Sequence, residues 1–125
     1  MANSISHDTE HDIIIAIADE KSNLLDLLEM VKNTILMAKE KNCHRILTDM
    51  RAAEFDLSAT EIYYLPEKIS KLINDMGLKD VHFKRAFVTK ENQHTLRFYE
   101  TVSLNRGLPT HLFHDMDAAI DWLIK

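Results

Sequence analysis

Residues 13–18 form an unbroken apolar run, Ile13-Ile14-Ile15-Ala16-Ile17-Ala18, which is rich in β-branched side chains. A run that does not alternate with polar residues is typical of a strand buried on both faces, as in parallel sheets covered by helices. It is too short to cross a bilayer, because a transmembrane helix needs about 20 apolar residues. The run therefore predicts an internal β-strand of a protein that also contains helices.

Strands and amphipathic helices alternate along the rest of the chain. Further strands are predicted at Arg45–Thr48, Arg85–Val88 and Thr110–Phe113. Helical spacings of three and four follow each strand, with apolar stripes at Leu24, Leu28, Val31, Ile35 and Ala38, at Ile62, Leu65, Ile69, Leu72 and Met76, at Leu96, Tyr99 and Val102, and at Ala119, Ile120, Leu123 and Ile124. This alternation predicts βαβ units, and hence an α/β fold with a mainly parallel or mixed sheet of four to five strands.

Several residues predict where helices begin and end. Ser58 and Glu61 have the spacing of a capping box, so a helix should begin after Ser58. Asn42 and Gly77 follow helical stripes and suit the left-handed residue that ends a helix. Pro66 falls inside the second stripe, which predicts either a kinked helix or a helix that restarts with Pro66 in its first turn.

The chain of 125 residues is 46% hydrophobic and contains one cysteine, so a single domain can bury a core without disulfides. Residues 1–11 are polar and acidic, which predicts a flexible N-terminal leader before a domain of residues 12–125. The leader lacks the charged-then-apolar order of a signal peptide. Together with the lone cysteine, this favours a reducing compartment, the cytoplasm.

The net charge of −5 makes nucleic acid an unfavourable partner. Lysines and arginines are scattered among acidic residues instead of forming a basic stripe. No segment is long and apolar enough to be a transmembrane span.

The order of several short motifs resembles the SpoIIAA-like branch of the STAS superfamily. The motifs are Asp49-Met50-Arg51, Ser58, Tyr64-Leu65-Pro66, Arg85-Ala86-Phe87-Val88, Phe98-Tyr99-Glu100, Asn105-Arg106-Gly107 and Ala118-Ala119-Ile120-Asp121-Trp122-Leu123. The resemblance extends from about Ile13 to Lys125. It implies a STAS-like α/β domain that acts as a non-enzymatic regulatory or ligand-binding module and requires no cofactor.

Ser58 has two readings. In the anti-sigma-factor antagonists that this superfamily resembles, a serine that opens a helix after a core strand is phosphorylated, and Ser58 is the nearest match. Leu57 and Ala59 stand where that pattern has a serine and a glycine. The alternative is a helix N-cap without regulation.

The carboxyl ends of the strands are where ligands bind in such sheets. Residues near these ends or the helices that follow are candidates for binding a protein partner or a small apolar ligand: Asp49, Arg51, Ser58, Tyr63, Tyr64, Asn105 and Arg106. Arg51 suits an anion or a tether to a neighbouring loop. Asn105-Arg106 suits a pocket or a helix C-terminus. One ring of the tyrosine pair is predicted in the core and the other half-exposed. A homodimer is a further option for the protein.

A second functional class is a receiver-like phosphoacceptor domain. In this reading Asp49 accepts the phosphoryl group, Asp19 and Glu20 hold Mg²⁺, and Thr89 and Lys90 contact the phosphoryl oxygens. The segment between Asp19 and Asp49 has room for only one helix and one strand, whereas the receiver order requires an additional pair. The spacing therefore disfavours this class.

The sequence predicts no metal site and no catalytic centre. His7 and His11 lie in the assigned leader, where no scaffold would fix them, and Cys43 has no second cysteine with which to build a zinc set. Cys43 follows a helix C-terminus, whose dipole opposes a thiolate nucleophile. Neither a nucleophile elbow nor a P-loop is present, so we expect a protein that is not an enzyme.

Overall fold

The computed structural model describes residues 3–19, 21–78, 82–90, 100–101 and 110–125. The strands are β1 (Asn3–Asp8), β2 (Ile13–Ala18), β3 (Lys21–Ser22), β4 (Arg45–Asp49), β5 (Glu54–Phe55), β6 (Lys84–Val88) and β7 (Thr110–Phe113). The helices are α1 (Leu24–Glu40), α2 (Ala59–Asp75) and α3 (Met116–Ile124).

Five strands form one mixed sheet in the order β1-β2-β4-β6-β7. The β1 strand runs antiparallel to β2, whereas the β2–β4, β4–β6 and β6–β7 pairs are parallel. A separate two-stranded sheet joins β3 to β5. The predicted α/β fold with a mixed sheet of four to five strands is therefore confirmed.

The sheet has a hydrophobic core on each face. Ile14, Ile46 and Phe87 pack with α1 and α2 on one face, while Leu47 and Ala86 pack with α3 on the other. Because successive side chains of a strand point to opposite faces, covering both faces requires consecutive apolar residues. This explains the unbroken run at residues 13–18.

The assignment of residues 1–11 to a flexible leader is wrong for residues 3–8. These residues form β1, which pairs along its whole length with β2. The strand is polar because it lies at the edge of the sheet, where Ser4 and Ser6 are exposed. Its one apolar side chain, Ile5, packs against the α1–α2 core. The polar composition of residues 3–8 is thus that of an edge strand, although it predicted a flexible segment.

The predicted helix ends are confirmed. Ser58 and Glu61 form the capping box of α2, and Asn42 and Gly77 have φ angles of 50° and 76°. The α2 helix continues through Pro66, which is buried in its interior, so the helix does not restart there.

The predicted inward face of α3 is partly wrong. Ala119 and Leu123 are buried, whereas Ile124 is exposed. Residues 119 and 123 are four apart and share the side that faces the sheet. The residues that follow them, 120 and 124, are rotated by about 100° around the helix axis towards its flank. Ile124 therefore points away from the core.

None of the helices in the described part of the chain is both long and apolar enough to cross a membrane.

Candidate functional site

An open groove lies at the carboxyl ends of β2 and β4. It is lined by Ile17, Ala18, Asp49, Arg51, Ala52 and Lys90, and its volume is about 380 Å³. Parallel strands bring these residues together because their carboxyl ends meet at one edge of the sheet. Two of the predicted site residues, Asp49 and Arg51, thus share one groove.

Asp49 and Arg51 form a two-pronged ion pair within this groove. Arg51 Nε donates to Asp49 Oδ1 at 3.0 Å, and Nη2 donates to Oδ2 at 2.9 Å. The Arg51 main-chain N–H also donates to Oδ1, at 3.1 Å. The hydrogen bonds from Arg51 hold the pKa of Asp49 below its usual value. Arg51 therefore binds an internal carboxylate, and an external anion would have to compete with it.

We expect Asp49→Asn to lower the free energy of unfolding at pH 7 by about 1 kcal/mol, the upper end for partly exposed pairs. The folded-state pKa of Asp49 is depressed, so its contribution is complete above the unfolded value of about 3.9 and is lost as the pH falls through the folded value. Urea unfolding at pH 7 and at pH 3 should show the wild type and the variant converging in acid. Asp56→Asn, at an exposed loop carboxylate, is the control. An equal deficit at both pH values would contradict this prediction.

Ser58 is exposed and is the N-cap of α2. Its hydroxyl accepts a hydrogen bond from the Glu61 main-chain N–H at 3.1 Å, and Glu61 Oε1 accepts one from the Ser58 N–H at 2.9 Å. The structural role of Ser58 is therefore established by these contacts. Phosphorylation of Ser58 remains a prediction.

We expect Ser58→Ala to lower the free energy of unfolding by about 1 kcal/mol, because an orphan amide of α2 loses its acceptor. Ser58→Asp should stay within about 0.5 kcal/mol of the wild type, since aspartate is an equally good N-cap. Denaturant unfolding checks both variants. Ser70→Ala, at an exposed position of α2, is the matched control and should be neutral or slightly stabilising. A loss at position 70 equal to that at position 58 would contradict a capping role.

Tyr63 and Tyr64 are 47% and 46% exposed. Their ring centroids are 5.1 Å apart with an interplanar angle of 86°, an edge-to-face contact. The expectation that one ring would lie in the core is wrong, because Ile62 and Leu65 occupy the side of α2 that faces the sheet. The two rings instead form an aromatic pair on the outer side of the helix.

A gap of about 20 Å³ lies between α1, α2 and the sheet. It is lined mainly by apolar side chains, among them Met30, Ile62 and Leu65, together with the buried Arg85. A volume of this size holds about one water molecule. A small apolar ligand would therefore require α2 to move away from the sheet.

Some of the candidate residues lie outside the part of the chain that the structure describes. Asn105 and Arg106 lie outside the described residues, as do Glu20 and the predicted helix around Leu96. The described sheet also lacks the receiver order, in which the strand sequence reverses and opens a crevice at the reversal. The receiver-like alternative is thus not supported by the topology.

Sequence reasoning missed a group of side chains beside the β1–β2 turn. His7, Asp12 and Cys43 come together there, and Asp8, Glu10 and His11 form a neighbouring group. The density of histidines and acids in residues 7–12 was the available signal, but it had been assigned to the leader. Burial raises the pKa of the Cys43 thiol, which disfavours a free nucleophilic thiolate.

No protein-family model and no curated protein matches this sequence. The fold is similar to that of a solved structure, an uncharacterised protein of the DUF3478 family with a SpoIIAA-like fold from Shewanella loihica PV-4. The two chains are 20% identical with a TM-score of 0.55, and the match covers 98% of this chain and 92% of the other. The SpoIIAA-like fold expected from the motif order is therefore confirmed.

Proposed function

We propose that this protein is a non-enzymatic regulatory module that binds a partner protein. The binding surface is the Asp49–Tyr64 surface, which we define as Asp49, Arg51, Ser58, Tyr63 and Tyr64. The observation that carries the proposal is the half-exposed tyrosine pair on the outer side of α2. Tyrosine is enriched at protein interfaces because its ring buries a large apolar area while its hydroxyl keeps a hydrogen bond.

The described cavities favour a protein over a small apolar ligand, because the interior gap is too small and the larger grooves are open and bordered by charged residues. The interior gap of about 20 Å³ is far smaller than the roughly 300–1,000 Å³ of ordinary ligand pockets. By contrast, Tyr64 borders an open groove of about 510 Å³ that also includes Glu61, Glu67 and Lys68. An apolar ring with charged residues of both signs around it suits a partner that offers an apolar anchor and a polar rim.

Site-specific crosslinking tests this proposal. A photoreactive phenylalanine analogue at position 64 should crosslink one discrete protein in the source cells. The same analogue at Leu25, an exposed apolar position on α1, should not. With that protein purified, Tyr64→Ala should weaken binding at least tenfold, and Leu25→Ala should leave it unchanged.

Three results would overturn the proposal. The first is the same crosslinking pattern at both positions. The second is an affinity unchanged by Tyr64→Ala. The third is native mass spectrometry of the protein from its host showing a bound small molecule in place of a protein. A crosslinked product of twice the chain mass would identify the partner as a second copy of this chain.

A further inference from the structure

We propose that His7, Asp12 and Cys43 form a binding site for a zinc-type transition-metal ion. One ligand atom from each residue, an imidazole nitrogen, a carboxylate oxygen and the thiol sulfur, lies within 4.8 Å of the other two. The three residues come from different parts of the chain: His7 from β1, Asp12 from the turn between β1 and β2, and Cys43 from the loop between α1 and β4. The site is separate from the Asp49–Tyr64 surface and does not depend on the function proposed for it.

Small movements separate the three ligand atoms from the spacing of a tetrahedral centre. Zinc binds nitrogen and oxygen at about 2.0–2.2 Å and sulfur at about 2.3 Å, so its ligand atoms lie roughly 3.3–3.8 Å apart. His7 Nε2 and Asp12 Oδ1 are 2.8 Å apart. Cys43 Sγ donates to the main-chain oxygen of Asp12 at 3.2 Å, so the thiol also lies next to Asp12. Movements of about an ångström would therefore place all three ligand atoms around one ion.

The backbone fixes the three ligands through two elements, the β1–β2 hairpin for His7 and Asp12 and the end of α1 for Cys43. Asp12 has a φ of 54°, a left-handed conformation that aspartate tolerates better than most residues. The Cys43 main-chain N–H donates to the Ala38 carbonyl at 2.9 Å, which anchors the cysteine to the end of α1. His7 pairs with Ile14 in the β1–β2 ladder. The cluster is therefore held together by the fold, although Asp12 and Cys43 are 31 positions apart.

The donor types select the class of ion. A thiolate and an imidazole favour zinc, cobalt, nickel or copper over magnesium and calcium, which prefer oxygen ligands. Three protein ligands leave a fourth position for water or another small ligand, as in catalytic zinc sites. Cys43 is buried while Asp12 is exposed, so the open side of the site faces the solvent.

Binding is balanced in charge. The Cys43 S–H bond breaks when the metal–sulfur bond forms, and the proton passes to solvent. The thiolate and the Asp12 carboxylate then supply two negative charges to a divalent ion. Arg45, whose Nη1 donates to the His11 carbonyl at 3.3 Å, adds one positive charge nearby. The ion and its two anionic ligands are together neutral, so the Arg45 charge leaves a local net charge of about +1 and weakens the site.

The neighbouring cluster of Asp8, Glu10 and His11 provides an internal comparison. Its His11 Nδ1 contacts Asp8 Oδ2 at 2.9 Å, and Asp8 Oδ1 accepts the Glu10 main-chain N–H at 3.0 Å. These contacts already explain its geometry as a turn, and it has no sulfur ligand. We therefore assign the site to the cluster that contains Cys43.

Titration of the metal-free full-length protein with Co²⁺ tests the assignment. Coordination by Cys43 should give a sulfur-to-cobalt charge-transfer band in the near ultraviolet at one ion per chain, and Zn²⁺ should displace the cobalt. Cys43→Ser should abolish the band. His7→Ala and Asp12→Asn should weaken binding by at least about tenfold, because even outer-shell substitutions cost about 10–100-fold. His11→Ala and His44→Ala, the matched histidine controls, should bind like the wild type.

Circular dichroism of each variant shows whether it is folded. If Cys43→Ser does not fold, the more accessible His7→Ala and Asp12→Asn variants still decide the result. Absence of the charge-transfer band in the wild type would overturn the proposal. So would wild-type affinity in both the His7 and Asp12 variants, or loss of binding in His11→Ala but not in His7→Ala.

Discussion

Leu65→Ala is expected to lower the free energy of unfolding by about 3 kcal/mol, a typical loss for a buried leucine. Leu65 is buried on the inner side of α2 and lines the gap of about 20 Å³ beneath that helix. Removing its side chain adds an apolar volume to an existing gap. The loss should therefore include a cavity contribution as well as the lost burial.

The variant also tests whether the space beneath α2 can accept an apolar molecule. An apolar cavity of sufficient size stays dry and binds benzene or xenon. Urea unfolding with and without saturating benzene should show that benzene stabilises Leu65→Ala and leaves the wild type unchanged. Leu25→Ala, at an exposed position, is the control and should change stability by no more than about 0.5 kcal/mol. Stabilisation of the wild type by benzene would show that α2 opens readily and would revive the small-ligand hypothesis.

Deletion of residues 1–8 is the second change for which we expect a large effect, a loss of at least about 3 kcal/mol in the free energy of unfolding. The deletion removes β1 and the packing of Ile5, and it leaves β2 as an unpaired edge. An exposed apolar edge strand is a template for aggregation. Size-exclusion chromatography should therefore show larger species for the truncated protein, and thermal unfolding should begin at lower temperature.

Ser4→Ala is the matched control for the deletion, because it keeps the β1 backbone and changes only an exposed side chain. It should behave like the wild type in both measurements. A truncated protein that remained monodisperse and as stable as the full chain would show that residues 3–8 contribute little to the fold. That result would support the flexible leader that the sequence first suggested.

The internal strands could be predicted from the sequence because they carry adjacent apolar residues, many of them β-branched. Residues 13–18 are all apolar, and β4 carries the adjacent apolar residues Ile46 and Leu47, a pattern typical of strands covered on both faces. The β1 strand could not be predicted in this way. An edge strand has one face towards solvent, and β1 turns only Ile5 towards the core. The other residues of β1 are polar, like those of a flexible tail.

The candidate site was predictable where position in the chain determines position in space. Asp49 ends β4 and Arg51 follows it, so their place at the carboxyl edge could be predicted from the order of elements. Their mutual ion pair could not, because it depends on the turn conformation after β4. The proximity of His7 to Cys43 was hidden for a different reason. It exists only because β1 pairs with β2, and the sequence analysis predicted neither β1 nor this pairing.

In the five-stranded sheet, every strand lies beside the strand that precedes it in that sheet along the chain. The β1–β2 hairpin closes a short loop, but the three parallel pairs join more distant residues, from 25 positions apart (Arg85 and Thr110) to 39 (Arg45 and Lys84), and such pairing is slow to form. During synthesis, each new strand would find its docking edge already made by the part of the chain that has left the ribosome. We therefore expect the sheet to grow from β1 in the direction of translation, without waiting for its C-terminal strand.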